Sequence, residues 1–119
     1  TIALDEKYIS SLTYDHTLAL GKHLLKQEDW EQAYALFLVA ATKLPDLQSP
    51  MYPQTIFLAA VSLTRMEKGA EAIALFEKVI EKDPKHTAAM LSIASIHKKA
   101  GNSEQARHWV QKASDIDPK

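Results

Sequence analysis

A 34-residue period organises this chain. Pro84 and Pro118, Phe76 and Val110, Ala72 and Ala106, and Ala60 and Ala94 are each 34 positions apart. Counting back 39 positions from the middle set reaches Ala33, Phe37 and Pro45, so a first copy is in phase once five extra residues are placed around 48–52. A period of this length marks one helical hairpin per unit, and such a hairpin buries its apolar face only by stacking on its neighbours. Architecture is therefore strongly constrained before any single residue is weighed, and an open stack of hairpins offers surfaces more readily than enclosed catalytic pockets.

The copies divide the chain into residues 1–13, an N-terminal extension, and a repeat domain over 14–119 made of 14–47, an insertion at 48–52, 53–86 and 87–119. In the first copy Thr17, Leu20, Gly21 and Leu24 recur at i, i+3, i+4, i+7, the mark of one buried helical face. Ala33, Leu36, Phe37 and Ala40 repeat that mark on the second helix. In the second copy the stripes are Ile56, Ala59, Ala60, Leu63 and then Ala72, Leu75, Phe76, Val79. In the third they are Met90, Ile93, Ala94, His97 and then Ala106, Val110, Ala113. The spacing predicts helices at about 14–26, 30–43, 54–66, 70–82, 87–99 and 103–115, each pair antiparallel.

Local signals place the turns. Asp29 with Gln32, and Asn102 with Gln105, have the spacing of reciprocal helix N-caps. Gly101 is free to take positive φ at a helix end. Glu67-Lys68-Gly69 puts its glycine later than the third copy does, which predicts a different bend there. Residues 45–53 hold three prolines and read as an elongated loop, since Pro50 and Pro53 disfavour a helix interior. Leu4, Tyr8, Ile9 and Leu12 are at helical spacing and predict a short N-terminal helix on the first hairpin.

Composition excludes several function classes. With 14 basic and 15 acidic residues the formal net charge is −1, so no global field draws the chain to nucleic acid or an anionic membrane. Lys82, Lys85, Lys98 and Lys99 are interspersed with carboxylates. No 18-residue apolar run exists, and zero cysteines exclude disulfide and thiol chemistry. The chain opens on Thr1, as a processed or excised piece does, so the missing leader carries no information on compartment, and none is assigned. His16 and His23, seven apart on one helix, are separated by roughly 10 Å, too far to share a metal. Ser10, Ser11, Ser92 and Ser95 lack a nucleophile-elbow context, and three glycines form no phosphate loop. Glu71, Glu77 and Glu81 beside Lys78 and Lys82 read as a solvated helix surface. No catalytic residue, metal ligand or cofactor site is expected.

Over residues 14–119 the pattern resembles the tetratricopeptide repeat family, most clearly in Leu20-Gly21, Ala33/Phe37/Pro45, Ala72/Phe76/Pro84 and Gly101/Ala106/Pro118. Thr17, Ile56 and Met90 stand where that family commonly has tryptophan, and His97 where tyrosine is common. The resemblance implies a right-handed α-solenoid of three helix pairs, in which the first helix of each pair lines a concave, peptide-binding face. The lining residues implied are Leu18, Lys22 and Lys26, then Phe57, Leu58, Val61 and Arg65, then Leu91, Ser95, Lys98 and Lys99. Leu18, Phe57 and Leu91 occupy equivalent places and form an apolar row. Lys26, Arg65 and Lys99 form a cationic row, although cations also favour any helix C-terminus. Members that bind chaperone tails carry a carboxylate clamp; Leu18 replaces its first lysine and Lys22 its asparagine, so that pattern is absent.

The implied function is a non-catalytic protein-interaction module. Its expected partner is a peptide or protein with apolar anchors and acidic flanks, with no nucleic acid and no membrane insertion. A small secretion-type chaperone shielding an exported subunit, and a scaffold stacking end to end, are the alternatives. Family members usually end in an extra covering helix. Here that helix is missing, so Ala100, Ala106, Val110 and Ile116 are expected to be incompletely covered, either because the parent chain continues or because a neighbouring molecule packs there.

Overall fold

The computed structural model describes residues 11–44 and 49–117. Leu4, Tyr8 and Ile9 of the expected N-terminal helix, with Pro45, Leu47 and Pro118, lie outside the described residues. Six helices follow in order: α1 (Tyr14–Lys26), α2 (Trp30–Thr42), α3 (Met51–Arg65), α4 (Gly69–Lys82), α5 (Thr87–Lys99) and α6 (Ser103–Ile116). Each packs on the next, as hairpins α1/α2, α3/α4 and α5/α6 joined through α2 on α3 and, less extensively, α4 on α5. The described residues form no strand. The product is an all-α repeat stack, elongated at 45 × 30 × 21 Å.

Two core clusters run through the stack. Leu24, Ala33, Leu36, Phe37 and Ala59 make the first. Ile56, Ala60, Leu63, Ala72, Phe76, Val79, Ala89 and Ile93 make the second, with Tyr34 and Leu75 touching both. Neighbouring alanines of α3 serve different clusters: Ala59 belongs to the first and Ala60 to the second. Buried hydroxyls are satisfied within their own helices. Thr17 donates to the Thr13 carbonyl at 2.7 Å, Thr55 to Met51 at 2.8 Å and Ser62 to Leu58 at 3.1 Å, so each sits in the core without an orphaned donor.

Small residues set the distance between paired helices. A Cβ at Gly21 would lie 2.8 Å from Cε1 and 3.0 Å from Cδ1 of Phe37, whose ring is fully buried. Ala33, Ala72 and Ala60 are likewise without exposed surface. In the last hairpin Ala106 and Ala113 are buried, whereas Val110, on the same stripe, is 47 % exposed and Ile116 39 %, the incomplete cover expected of that end. Val110 occupies the place of Phe37 and Phe76, but no described helix follows α6 to cover it. His97, expected on a buried face, is half-buried.

All three hairpin turns have one geometry. Glu28 (φ 64°), Glu67 (φ 61°) and Gly101 (φ 87°) are left-handed at equivalent positions. Their N–H groups donate to Leu25, Thr64 and Lys98, each at 3.1 Å. The next residues, Asp29, Lys68 and Asn102, donate to Leu24, Leu63 and His97 at 2.9, 3.0 and 2.8 Å. This is the paired hydrogen bonding of a Schellman helix stop. The second turn therefore does not bend differently: Glu67 takes the role of Gly101, and Gly69 begins the next helix instead. The same bonds explain why the expected reciprocal caps are not made. Asp29 and Asn102 form no side-chain cap bond, and their own N–H groups, from which Gln32 and Gln105 would accept, are committed to the preceding helix. Gln32 Oε1 is left buried without a hydrogen-bond partner among the described residues.

One boundary moves. Helix α3 starts at Met51, within the expected loop and insertion, with Pro50 at its N-cap position and Pro53 third in the helix. N–H groups of the first turn have no intrahelical acceptor, so a proline there sacrifices no bond. At the other helix ends Asp83 (ψ 86°) and Asp117 (ψ 95°) leave helical geometry, as a residue preceding proline does.

The turn geometry carries a stability prediction. A left-handed non-glycine residue costs about 1–2 kcal/mol, partly offset by the about 0.5–1 kcal/mol that glycine loses in backbone entropy. Glu67→Gly should raise stability by about 0.5–1 kcal/mol. Gly101→Ala should lower it by about 1 kcal/mol, although nothing lies within 4 Å of the added Cβ. Chemical denaturation of the two variants checks the opposite signs.

Glycines 21 and 69 should also part company. Alanine gains up to about 1 kcal/mol in helix propensity at either site. At Gly21 it meets a buried ring that has no room to move, and overpacking of about 1–3 kcal/mol wins. At Gly69 the neighbour is a single methyl, Cγ2 of the half-buried Ile96, at 2.9 Å, a smaller clash than the three ring atoms of Phe37 make at Gly21. Thermal melts should show Gly21→Ala more destabilised than Gly69→Ala; the reverse order would contradict the packing.

Candidate functional site

Helices α1, α3 and α5 are the first members of their hairpins. At their N-terminal ends α1 and α3 are pinned by a 2.6 Å hydrogen bond between the Tyr14 hydroxyl and Thr55 Oγ1. Toward their C-terminal ends a cleft of about 350 Å³ opens, lined by Lys22, Leu25 and Lys26 of α1, Trp30 of α2, and Val61 and Arg65 of α3. The Arg65 guanidinium carbon lies 5.8 Å from the Trp30 ring centroid, within reach of a cation–π contact. Leu25 and Val61 are half-buried and touch the first and second core clusters respectively, so the floor is apolar and rigidly backed.

A second cleft, of about 390 Å³, occupies the corresponding place one repeat further on. Thr64, Glu67, Gly69, Ile96, Lys99 and Ala100 line it. Here Glu67 accompanies Lys99, and the wall is alanine and glycine where the first cleft has tryptophan.

The structure thus brings together Lys22, Lys26, Val61 and Arg65 of the residues implied by sequence, and sets Lys99 apart. Lys98, Ser95 and Leu91 are exposed on α5 and line neither cleft. The apolar row is not a row of equivalent free anchors. Phe57 is half-buried, with its ring centroid 5.5 Å from that of Phe76 and 4.9 Å from the His86 imidazole. Leu18 and Leu58 pack against the first core cluster. Leu91 is 48 % exposed. The cause is position in the stack: the start of the third hairpin covers Phe57, and no described helix does the same for Leu91.

Two residues of this surface escaped sequence reasoning. Trp30 is the first residue of α2, where α4 has Gly69 and α6 has Ser103. A large aromatic at a repeat position otherwise held by small residues was the available signal. His86 is the N-cap of α5: the Ala89 N–H donates to its Nδ1 at 3.1 Å while its ring lies against Phe57. Its first-copy equivalent is the aliphatic Leu47, so the repeat gave no hint. His16 and His23 are exposed. Among the described residues no group of three potential metal ligands converges, and no helix is long and apolar enough to cross a membrane.

A tetratricopeptide repeat family model matches residues 63–119, which spans the end of α3 and the last three helices. Those residues match the tetratricopeptide repeat family, and the helix pairs before them share its fold. No curated protein matches it in sequence. Among solved structures it is similar to YrrB, described as a tetratricopeptide repeat protein with an unusual peptide-binding site, at 25 % identity and a TM-score of 0.79. That match covers 90 % of this chain and 53 % of YrrB, so the chain spans about half the length of that protein. The TPR2B domain of yeast Sti1, solved as a pHsp70 complex, matches at 22 % identity and TM-score 0.76, covering 87 % of this chain and 79 % of that one. PcrH, solved with the chaperone-binding region of PopB, matches at 14 % identity and TM-score 0.74, covering 98 % and 86 %. The last two likenesses establish fold alone.

The repeat context separates two side chains that sequence made equivalent. Phe57→Ala should cost about 2 kcal/mol of folding stability, since it vacates ring contacts on two sides. Leu91→Ala should stay within about 0.5 kcal/mol of the parent. Equal melting temperatures for the two would refute the assignment of Phe57 to the fold.

Proposed function

We infer that this protein is a non-catalytic interaction module whose first-helix face receives a peptide segment of a partner protein. The observation that carries the reading is the recurrence of a cleft at both junctions between hairpins, beside the C-terminal ends of α1, α3 and α5, with apolar floors and lysine or arginine at the rim. Folded side chains leave these cations and Leu91 at the surface, where a partner reaches them without unfolding the stack. The unusual peptide-binding site of YrrB, and the complexes of Sti1 and PcrH, are consistent with such a role for this fold. A partner suited to this surface supplies its own aliphatic anchors, because the face offers few hydrogen-bonding side chains, and carries Asp or Glu beside them.

Exposed residues make the cleanest test, since Phe57 contributes to stability. With a partner captured by the wild type and purified, Leu91→Asp should weaken binding about tenfold or more if Leu91 is an anchor. Arg65→Glu should slow association more at low salt than at high salt, because a rim charge acts mainly through long-range steering. Wild-type affinity and kinetics in both variants would remove the binding surface from this face.

A further inference from the structure

Lys22, Lys26 and Arg65 converge on one cleft, and none of the three forms an ion pair with a described carboxylate. The neighbouring cleft is lined by one cation, Lys99, together with Glu67, so the grouping of three cations is particular to the junction of α1 and α3. Like charges gathered beside a low-dielectric wall repel one another and focus a positive field into the space between them. A helix dipole accounts for one cation at the end of each helix. It does not account for Lys22, a turn earlier, nor for Trp30, placed where the other copies have small residues and holding Arg65 over its ring. Beneath the cations the floor is Leu25, Val61 and the indole face, which no anion satisfies.

We propose that the Trp30–Arg65 cleft is a subsite for one acidic–apolar–acidic triplet of a bound peptide, the apolar side chain seated on Leu25, Val61 and Trp30 and its two flanking carboxylates taken by Lys22, Lys26 and Arg65. This rests on the interaction-module reading and gives its ligand a sequence pattern and a register. Spacing supports it. Lys22 and Lys26, at i and i+4 on α1, are about 6 Å apart at Cβ. Carboxylate residues at i and i+2 of an extended peptide are about 6.5 Å apart. The intervening residue then points to the opposite side of the peptide, toward the floor. A carboxylate that pairs with Arg65 alters the guanidinium over the Trp30 ring, so occupancy reports itself optically.

The chain has two tryptophans, and Trp109→Phe leaves Trp30 as the sole emitter. Titrating that variant with acetyl-Gly-Glu-Leu-Glu-Leu-Glu-Gly-amide should give a saturable change in Trp30 emission, weakened by salt. Replacing the leucines by serine should weaken binding about tenfold, as the one seated aliphatic side chain is lost. A peptide with lysine for glutamate should give no response, and inorganic phosphate alone should not reproduce the change. Lys22→Gln/Lys26→Gln, at exposed positions that leave the fold intact, should weaken the acidic peptide by about tenfold while melting like the parent.

Several outcomes overturn the subsite: indifference to serine, a phosphate response equal to the peptide's, binding by peptide anisotropy with Trp30 silent, or no binding of the acidic peptide. Adding Leu91→Asp separates this from the broader reading. Loss of the captured partner with Leu91→Asp but not with the lysine pair refutes the subsite and keeps the groove. Acidic-peptide binding that needs the lysine pair, beside a partner indifferent to Leu91→Asp and Arg65→Glu, keeps the subsite as a local site and refutes the groove.

Discussion

Close contact between paired helices is the constraint from which the rest of this structure follows. Phe37 reaches full burial because Gly21 presents no Cβ to its ring, and the clearance left is less than a methyl group requires. Aromatic on one helix and small residue on the other is repeated as Phe76 and Ala60. With that distance set, the turn between the helices has little freedom, and all three turns adopt the same left-handed stop, even where the residue is glutamate. The strain at Glu28 and Glu67 is tolerated because the packed helices on either side dictate where the chain reverses.

Position in the stack then decides what each repeated residue does. Equivalent places in the three copies hold residues of similar character with different fates. Phe37 and Phe76 are sealed, while Val110 is half exposed; Leu18 and Phe57 are partly covered, while Leu91 is open. A hairpin buries its outer apolar residues only when another hairpin follows, so the third copy exposes what the first two hide. The same reasoning gives the Phe57 ring a part in supporting the fold and leaves Leu91 and the clefts between first helices open at the surface.

Charge follows the same logic of position. The net charge is near zero, and most surface carboxylates and amines are mixed along the helices. Against that background the grouping of Lys22, Lys26 and Arg65 around an aromatic and aliphatic floor gives the junction of the first two hairpins a chemical character that the next junction, with Glu67 beside Lys99, does not share. Similar clefts in a repeated architecture thereby differ in charge and lining through a handful of side chains, with the backbone left alone.

Much of the fold was legible along the chain because its determinants are local or periodic. Helical stripes, small residues at close approaches and prolines at the ends of units depend on residues within a turn or two, or on a repeat that can be counted, and the six helices stand within three residues of where those signals put them. Capping and the start of α3 were misread where one backbone group had two claimants: the N–H of Asp29 goes to Leu24 rather than to Gln32, and Pro53 fits a first turn that needs no donor. Sequence alone determined that the chain is a stack of three hairpins with cations at the ends of their first helices. Only the tertiary structure decided which of those cations meet, because Trp30 and Arg65 are 35 residues apart and face one another solely through the angle at which successive hairpins pack.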